Sequence, residues 1–385
     1  MEVIGIPKEI KPNEKRVGLT PSGVEALTKI GACVLVETNA GSAAGFTDGM
    51  YAQAGATVVQ NAAEIWREAG VIQKVKEPTA AEFNFFRPEQ VLFCYLHLAS
   101  QEQCELVRAL VKSGITAIGY ETVEVDGTTP LLKPMSQVAG TLAAYYTGIL
   151  RNLAEVSGGK AFLSERGKNL LHQAAEKYPD TPKGILPGRV VVLGGGQAGL
   201  AAAEMAVRMK GQVYLTELDP KRRQFLLAYC REQNLPIIIR DPNDHMLPVL
   251  EDADVIIASV HRAGNRAPII VSKELLALVS KRKYKAIIDI SIDQGGNVFE
   301  SRSTTYDDPV YLDSFGNIRF AVSNMPSICP KPASLSLEQA TKKYTLALAE
   351  GLDKAIQKYP EISGGINVQS GEITNDSVRL AHQKK

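Results

Sequence analysis

The chain has 385 residues, with 43 Lys+Arg against 42 Asp+Glu and a formal net charge of +1. That length predicts two or three domains, and the charge balance argues against the basic excess by which nucleic-acid binders hold phosphates. Hydrophobic residues make up 45% and charged residues 22%, values of a packed globular chain rather than a disordered one. No apolar run reaches the roughly 18 residues of a membrane helix. The opening Met1–Lys11 lacks the basic-then-apolar order of a signal peptide. The five cysteines (Cys33, Cys94, Cys104, Cys230 and Cys329) are scattered and odd in number, and the five histidines lack ligand spacing. The expectation is a cytoplasmic protein with reduced thiols, no structural zinc and no catalytic metal.

Along the chain, short apolar runs alternate with helix-like stretches. Candidate strands are Val3–Ile6, Cys33–Val36, Val71–Lys74, Val91–Leu96 and Thr116–Gly119, with Ser22–Lys29 as a helix among them. The periodicity then predicts a linker helix from Ser136 to Leu153, in which Val138, Leu142, Tyr145, Ile149 and Leu153 share a face. The charged stretch near 157–188, flanked by Gly and Pro, reads as a surface insertion. A second strand series follows: Val190–Leu193, Val213–Thr216, Ile237–Ile239, Val255–Ala258 and Ala286–Asp289, with helices over Ala198–Lys210 and Lys221–Glu232. A last long helix is predicted from Leu335 to Lys358, carrying the chain back to the first domain. Two such series imply an α/β fold of two doubly wound parallel-sheet domains, Rossmann-like in layout, with the active site in a cleft between them.

The strongest motif is Arg189–Leu200, RVVVLGGGQAGL, where a buried strand runs into Gly194-x-Gly196-x-x-Gly199 and then a helix. Gly194 suits the tight turn, Gly196 the approach of a pyrophosphate, and Gly199 the packing of helix on strand; the helix N-terminus offers its unpaired N–H groups to phosphate. The next strand ends at Glu217, where an acidic residue accepts the ribose hydroxyls and repels a 2′-phosphate, which points to NAD rather than NADP. Asp219 is the rival acid. Lys221, Arg222 and Arg223 read as a solvated helix start.

In the first series three residues follow strand ends: Arg16, Lys76 and His97. Arginine offers a two-pronged grip on a carboxylate, lysine polarises a carbonyl oxygen, and histidine passes a proton near neutral pH. Each has a plainer explanation: Arg16 as a surface charge, Lys76 paired with Glu77, His97 as a satisfied core residue. In the second series Asp293 precedes Gln294-Gly295-Gly296, while Asp289 sits at the end of the apolar run and suits a structural role. Ser323–Pro326 is a further candidate loop.

Taken together, GIPKEIKPNEKRVGLTP, KVKEP, LHLA, YETVE, PLLKPMSQVAG, VVVLGGGQAGLAAAEMA, DISIDQGG, SRSTTYDDPVY and SNMPSICP resemble the alanine dehydrogenase family, which is related to the soluble nucleotide-binding part of proton-translocating transhydrogenase. The resemblance runs over nearly the whole chain. It implies a substrate domain from residues 1–130 and 331–385, an NAD-binding domain from 131–330, and a hexamer. The implied reaction is the NAD-dependent, reversible oxidative deamination of L-alanine to pyruvate and ammonia. Arg16 and Lys76 would then hold the substrate, with Lys76, His97 and Asp293 catalytic. Ser136, Asn324 and Met325 would join Gly194, Gly196, Gly199 and Glu217 around the cofactor. Tyr95 stands where the family suggests Phe, adding a hydroxyl near the pocket. The alternatives are a transhydrogenase subunit, which would need a membrane partner, a dehydrogenase of another small amino acid or amine, and an idle NAD-binding regulator.

Overall fold

The computed structural model describes residues 1–157, 188–261 and 266–382. The segment read as a surface insertion lies outside the described residues, apart from its two ends. The chain divides into two compact units, Met1–Met135 with Pro326–Lys385, and Ser136–Met325.

The first unit alternates strand and helix: β1 (Ile4–Ile6), α1 (Pro21–Lys29), β2 (Val34–Glu37), α2 (Asp48–Gln53), β3 (Thr57–Val59), α3 (Ala62–Glu68), β4 (Val71–Gln73), β5 (Val91–Cys94), α4 (Cys104–Ser113) and β6 (Thr116–Gly119). These strands are parallel, in the order β3-β2-β1-β4-β5-β6. Nearly every residue of β1, β4, β5 and β6 is buried. Parallel strands covered by helices on both faces carry such unbroken apolar runs.

Helix α5 (Lys133–Ser157) begins at the end of this unit and continues in the second. It is longer at both ends than the Ser136–Leu153 stretch marked by its apolar stripe.

The second unit repeats the pattern: β7 (Arg189–Leu193), α6 (Gln197–Arg208), β8 (Gln212–Thr216), α7 (Pro220–Glu232), β9 (Ile237–Arg240), α8 (Leu247–Asp252), β10 (Val255–Ala258), α9 (Lys273–Val279), β11 (Ala286–Asp289), β12 (Val310–Leu312) and β13 (Ile318–Phe320). Its parallel order is β9-β8-β7-β10-β11-β13, with β12 antiparallel at the edge. Alternate residues of a strand point to opposite faces. Accordingly, Val190, Val192, Val255 and Ile257 join one core, and Val191, Leu193, Ile256 and Ala258 join another. Both sheets thus have the doubly wound Rossmann strand order.

The chain then returns to the first unit through α10 (Pro330–Ala349), α11 (Leu352–Lys358), α12 (Glu361–Gly365), β14 (Ile366–Gln369), β15 (Glu372–Ile373) and α13 (Asp376–His382). β14 pairs antiparallel with β6, and β15 with β14, so the sheet is mixed at this edge. The single helix expected over Leu335–Lys358 is two. It starts earlier because proline is at home in a first helical turn. It breaks at Gly351, whose φ of 109° no ordinary residue adopts cheaply. Glu338 of α10 ties the chain end to α1: it accepts from the Thr20 N–H and the Ser22 hydroxyl, each at 2.8 Å. No helix among the described residues is long and apolar enough to cross a membrane.

In the second unit α5 and α6 approach closely at Gly140, where a Cβ would lie 2.0 Å from the Ala198 carbonyl oxygen. Gly140→Val forces these backbones apart. The expected cost is about 1–3 kcal/mol, the range for overpacking a tight contact, read as a lower urea midpoint of unfolding.

Candidate active site

Arg16, Lys76 and His97 lie on the loops that follow β1, β4 and β5. β1 and β4 are the neighbours at which the strand order reverses, and an open α/β sheet leaves room for a ligand beyond the strand ends there. Arg16 is not a surface charge, being 2% exposed. Its Nε and Nη2 donate to the two oxygens of Glu14 at 2.7 and 2.5 Å, and its backbone N–H donates to Glu14 Oε1 at 2.9 Å. Nη1 lies 2.9 Å from Met135 Sδ. Burial works against the guanidinium charge, but the Glu14 carboxylate outweighs it and holds Arg16 above the ordinary arginine pKa.

Lys76 is 8% exposed, and its Nζ lies 3.4 Å from His97 Nε2. An ammonium has only donors, so this contact is a hydrogen bond only when the His97 nitrogen is unprotonated and accepts. Glu77 forms an ion pair with Lys11, and the Lys76 charge acts on it as well. Burial raises the Glu77 pKa, but Lys76, His97 and Lys11 outweigh it and hold the carboxyl below its usual range. His97 has a φ of 51°, a left-handed backbone that costs about 1–2 kcal/mol. Glu121 holds the turn by accepting from the His97 N–H at 2.6 Å and the Leu96 N–H at 3.2 Å. The imidazole stacks on Tyr95, with centroids 6.0 Å apart and planes at 10°. The Tyr95 hydroxyl donates to the Leu131 carbonyl at 2.6 Å and is close enough to feel the Arg16 charge.

In the second unit the glycine turn follows β7, and β7 and β10 form the reversal in strand order. Gly194 has a φ of 102°. A Cβ on Gly199 would lie 1.8 Å from the Gly194 carbonyl oxygen, whereas one on Gly196 would meet nothing within 4 Å. Gly196 is also the N-cap of α6, with no side chain capping the helix. The turn therefore presents open space and the start of a 12-residue helix to a phosphate group. Glu217 directly follows β8 and accepts from the Gly195 N–H at 3.1 Å and the Asp219 N–H at 2.9 Å. Asp219 caps α7, accepting from the Lys221 N–H at 2.7 Å. The basic run is not simply solvated. Arg222 Nε donates to the Gly195 carbonyl at 2.9 Å and its guanidinium covers the Phe225 ring; Arg223 donates to the Glu217 carbonyl and pairs with Asp241.

Asp293 is exposed, and its Oδ2 accepts from the Asn324 N–H at 3.3 Å. Asn324 itself has a φ of 56°. Ser136 lies half-buried in the first turns of α5. Met325 has its side chain 3% exposed in the core, while its carbonyl accepts from the Tyr306 hydroxyl at 2.7 Å. Asp289 is buried and its Oδ2 accepts from the Asn297 and Val298 N–H groups and the Ser301 hydroxyl. Sequence reading passes over Glu14 and Glu121. Their available signals were an acidic residue two positions before Arg16, and another just beyond β6.

The described residues form two α/β units, one with a glycine turn that opens onto a helix start and the other with Arg16, Lys76 and His97 on the loops after three adjacent strands. The family model "Alanine dehydrogenase/PNT, N-terminal domain" matches residues 5–139, and "Alanine dehydrogenase/PNT, C-terminal domain" matches residues 177–376. The chain is 39% identical to alanine dehydrogenase 2 of Staphylococcus aureus over 384 residues, 99% of this chain and 96% of that protein. A solved L-alanine dehydrogenase superposes with a TM-score of 0.83 at 35% identity, covering 99% of both chains. A transhydrogenase from Sinorhizobium meliloti shares the fold, with a TM-score of 0.73 at 21% identity over 98% of this chain and 100% of that one. The chain belongs to the alanine dehydrogenase/PNT family.

The two aspartates of DISIDQGG separate in a stability test. Asp289→Ala strands buried donors and is expected to cost about 1–3 kcal/mol. Asp293→Ala, at an exposed position, is expected to stay within about 0.5 kcal/mol of the parent. Urea unfolding of both variants measures the difference.

Proposed function

We propose that this chain is an NAD-dependent alanine dehydrogenase interconverting L-alanine with pyruvate and ammonia. The observation that carries the reading is the cluster of Lys76, His97 and buried Arg16 at the ends of neighbouring strands, in a chain 39% identical to an alanine dehydrogenase over its full length. Gly194, Gly196 and Gly199 with the start of α6 fit a pyrophosphate, and Glu217 fits the adenosine ribose. NAD bound there supplies the hydride chemistry at the substrate Cα.

The chain's own residues do the remaining work. Arg16 holds the substrate carboxylate. Glu14 engages the Nε–Nη2 edge and so fixes the plane of the guanidinium. Lys76 stabilises negative charge on the oxygen that becomes the pyruvate carbonyl. In the deamination direction, water adds to the imine carbon and gives a proton to His97 Nε2, the acceptor nitrogen. His97 then returns that proton to the carbinolamine nitrogen, and as the C=O bond forms and ammonia leaves, the hydroxyl gives its own proton to the freed His97 Nε2. Asp293 shares the proton transfers. Asn324 and Ser136 complete the cofactor's surroundings, with Met325 contributing through its place beside Asn324. Hexameric assembly and a cytoplasmic location belong to the same proposal and rest on family kinship.

The direct test follows NADH absorbance with pyruvate and ammonium, and then with ammonium omitted. Loss of NADH only with both substrates is expected; loss with neither refutes the proposal. Lys76→Ala and His97→Ala should each lower kcat at least about 100-fold, the scale of a lost acid–base or charge-stabilising group. NADH binding, followed by fluorescence, should stay within about twofold. Glu217→Ala removes the charge that repels a 2′-phosphate. It should lower the NADH-over-NADPH preference at least about tenfold, a change of about 1.4 kcal/mol, read from binding titrations of both nucleotides.

A further inference from the structure

Beyond the residues given roles above, a buried ionic group surrounds the peptide that carries Lys76. Glu9 lies on the loop after β1 and is buried. Its Oε1 accepts from the Val75 N–H at 2.6 Å and the Lys76 N–H at 3.3 Å. Its Oε2 lies 3.3 Å from the Nζ of Lys74, a lysine only 1% exposed. Lys74 Nζ also lies 3.0 Å from Glu82 Oε1. The other Glu82 oxygen accepts from the Thr79 N–H at 2.8 Å, closing the turn that begins at Ala80. The Val75 peptide is gripped from the other side too, since its carbonyl accepts from the Tyr95 N–H at 3.0 Å. Tyr95 stands two residues before His97.

Burying one cation between two carboxylates is costly: each ion loses several kcal/mol of hydration, which mutual attraction repays only with good geometry. A nonpolar trio would fill the same space more cheaply. It would also leave the Val75 and Lys76 N–H groups without this acceptor. Burial pushes the Glu9 carboxyl up, with Lys74 opposing. Burial likewise works against the Lys74 charge, but Glu9 and Glu82 outweigh it and hold the ammonium protonated.

We propose that Glu9 is a positioning residue: its carboxylate, anchored by Lys74, fixes the Val75–Lys76 backbone and so aims the Lys76 ammonium at His97. The inference rests on the reading that Lys76 and His97 act on the substrate. Glu9 touches neither substrate nor cofactor in this scheme, and acts through the two N–H groups it accepts.

The test pairs two charge-compensated variants, Glu9→Ala/Lys74→Met and Glu9→Gln/Lys74→Met. Both remove the same charges, but only glutamine keeps an oxygen able to accept the two N–H bonds. The alanine version should lose about 100-fold in kcat, the scale of an ångström-sized misplacement, with NADH affinity within about twofold. The glutamine version should recover at least about tenfold of that loss. A second readout is independent of turnover: Lys76 labelling by pyridoxal phosphate and borohydride, located by mass spectrometry. Its rate should change in the alanine version and return toward the parent's in the glutamine version. Equal losses in both variants, or kcat and labelling unchanged in both, overturn the proposal. If the alanine version does not fold, Glu9→Asp, which retracts the carboxylate by one methylene, replaces it. A folded Glu9→Asp protein with parental kcat and labelling overturns the proposal equally. Should the parent itself not turn over pyruvate and ammonium, the functional reading falls, and the labelling arm alone still decides the role of Glu9.

Discussion

In each sheet the strand order reverses between two parallel neighbours, β1 and β4 in one and β7 and β10 in the other. The connections on either side of the reversal leave in opposite directions, and no loop crosses the gap beyond the strand ends. Arg16 and Lys76 flank one reversal, with His97 on the loop after the next strand. The glycine turn flanks the other, with Glu217 one strand away and Asp293 beyond β11. A carboxyl-end loop is thus the common address of the candidate groups. The rigid sheets behind the loops hold those groups in register, which a set of exposed side chains on a flexible surface could not do.

The first unit spends much of its buried polarity on holding these loops. Glu14 grips Arg16, Glu121 holds the left-handed turn at His97, and Glu9 with Lys74 and Glu82 surrounds the Lys76 peptide. Buried ion pairs are weak contributors to net stability, because desolvation consumes most of the attraction. Their presence is better accounted for by geometry. A carboxylate that accepts two N–H bonds fixes a backbone, and a carboxylate on both nitrogens of one guanidinium edge fixes a plane. In the second unit the corresponding work falls to backbone shape, where Gly194, Gly199 and the end of β8 bring Gly195 and Glu217 within hydrogen-bond distance.

The α/β architecture was legible from sequence because strands covered on both faces are short, unbroken apolar runs, such as VLFC and VIIA. The strands β3, β12, β13, β14 and β15 were not. Each has two to four residues and lies at or near a sheet edge, too short to carry a period. The break at Gly351 was missed because Leu352 continues the apolar stripe of α10, and a stripe of side chains does not reveal a backbone angle.

The sequence by itself determined where the candidates lie whose chemistry shows locally: the glycine spacing of Gly194–Gly199, the acid just after β8, and Arg16, Lys76 and His97 after apolar runs. Only the tertiary structure decided what holds them. Glu9 is 66 residues from the Val75 N–H it accepts, and Glu121 is 24 residues from that of His97. Asp219 caps a helix while Glu217 accepts from Gly195, and Asp289 is buried where Asp293 is exposed. A carboxylate looks the same in sequence whether it meets water, a substrate or a backbone N–H; the choice among them is made by folding, through whichever partner distant chain segments bring within hydrogen-bond range.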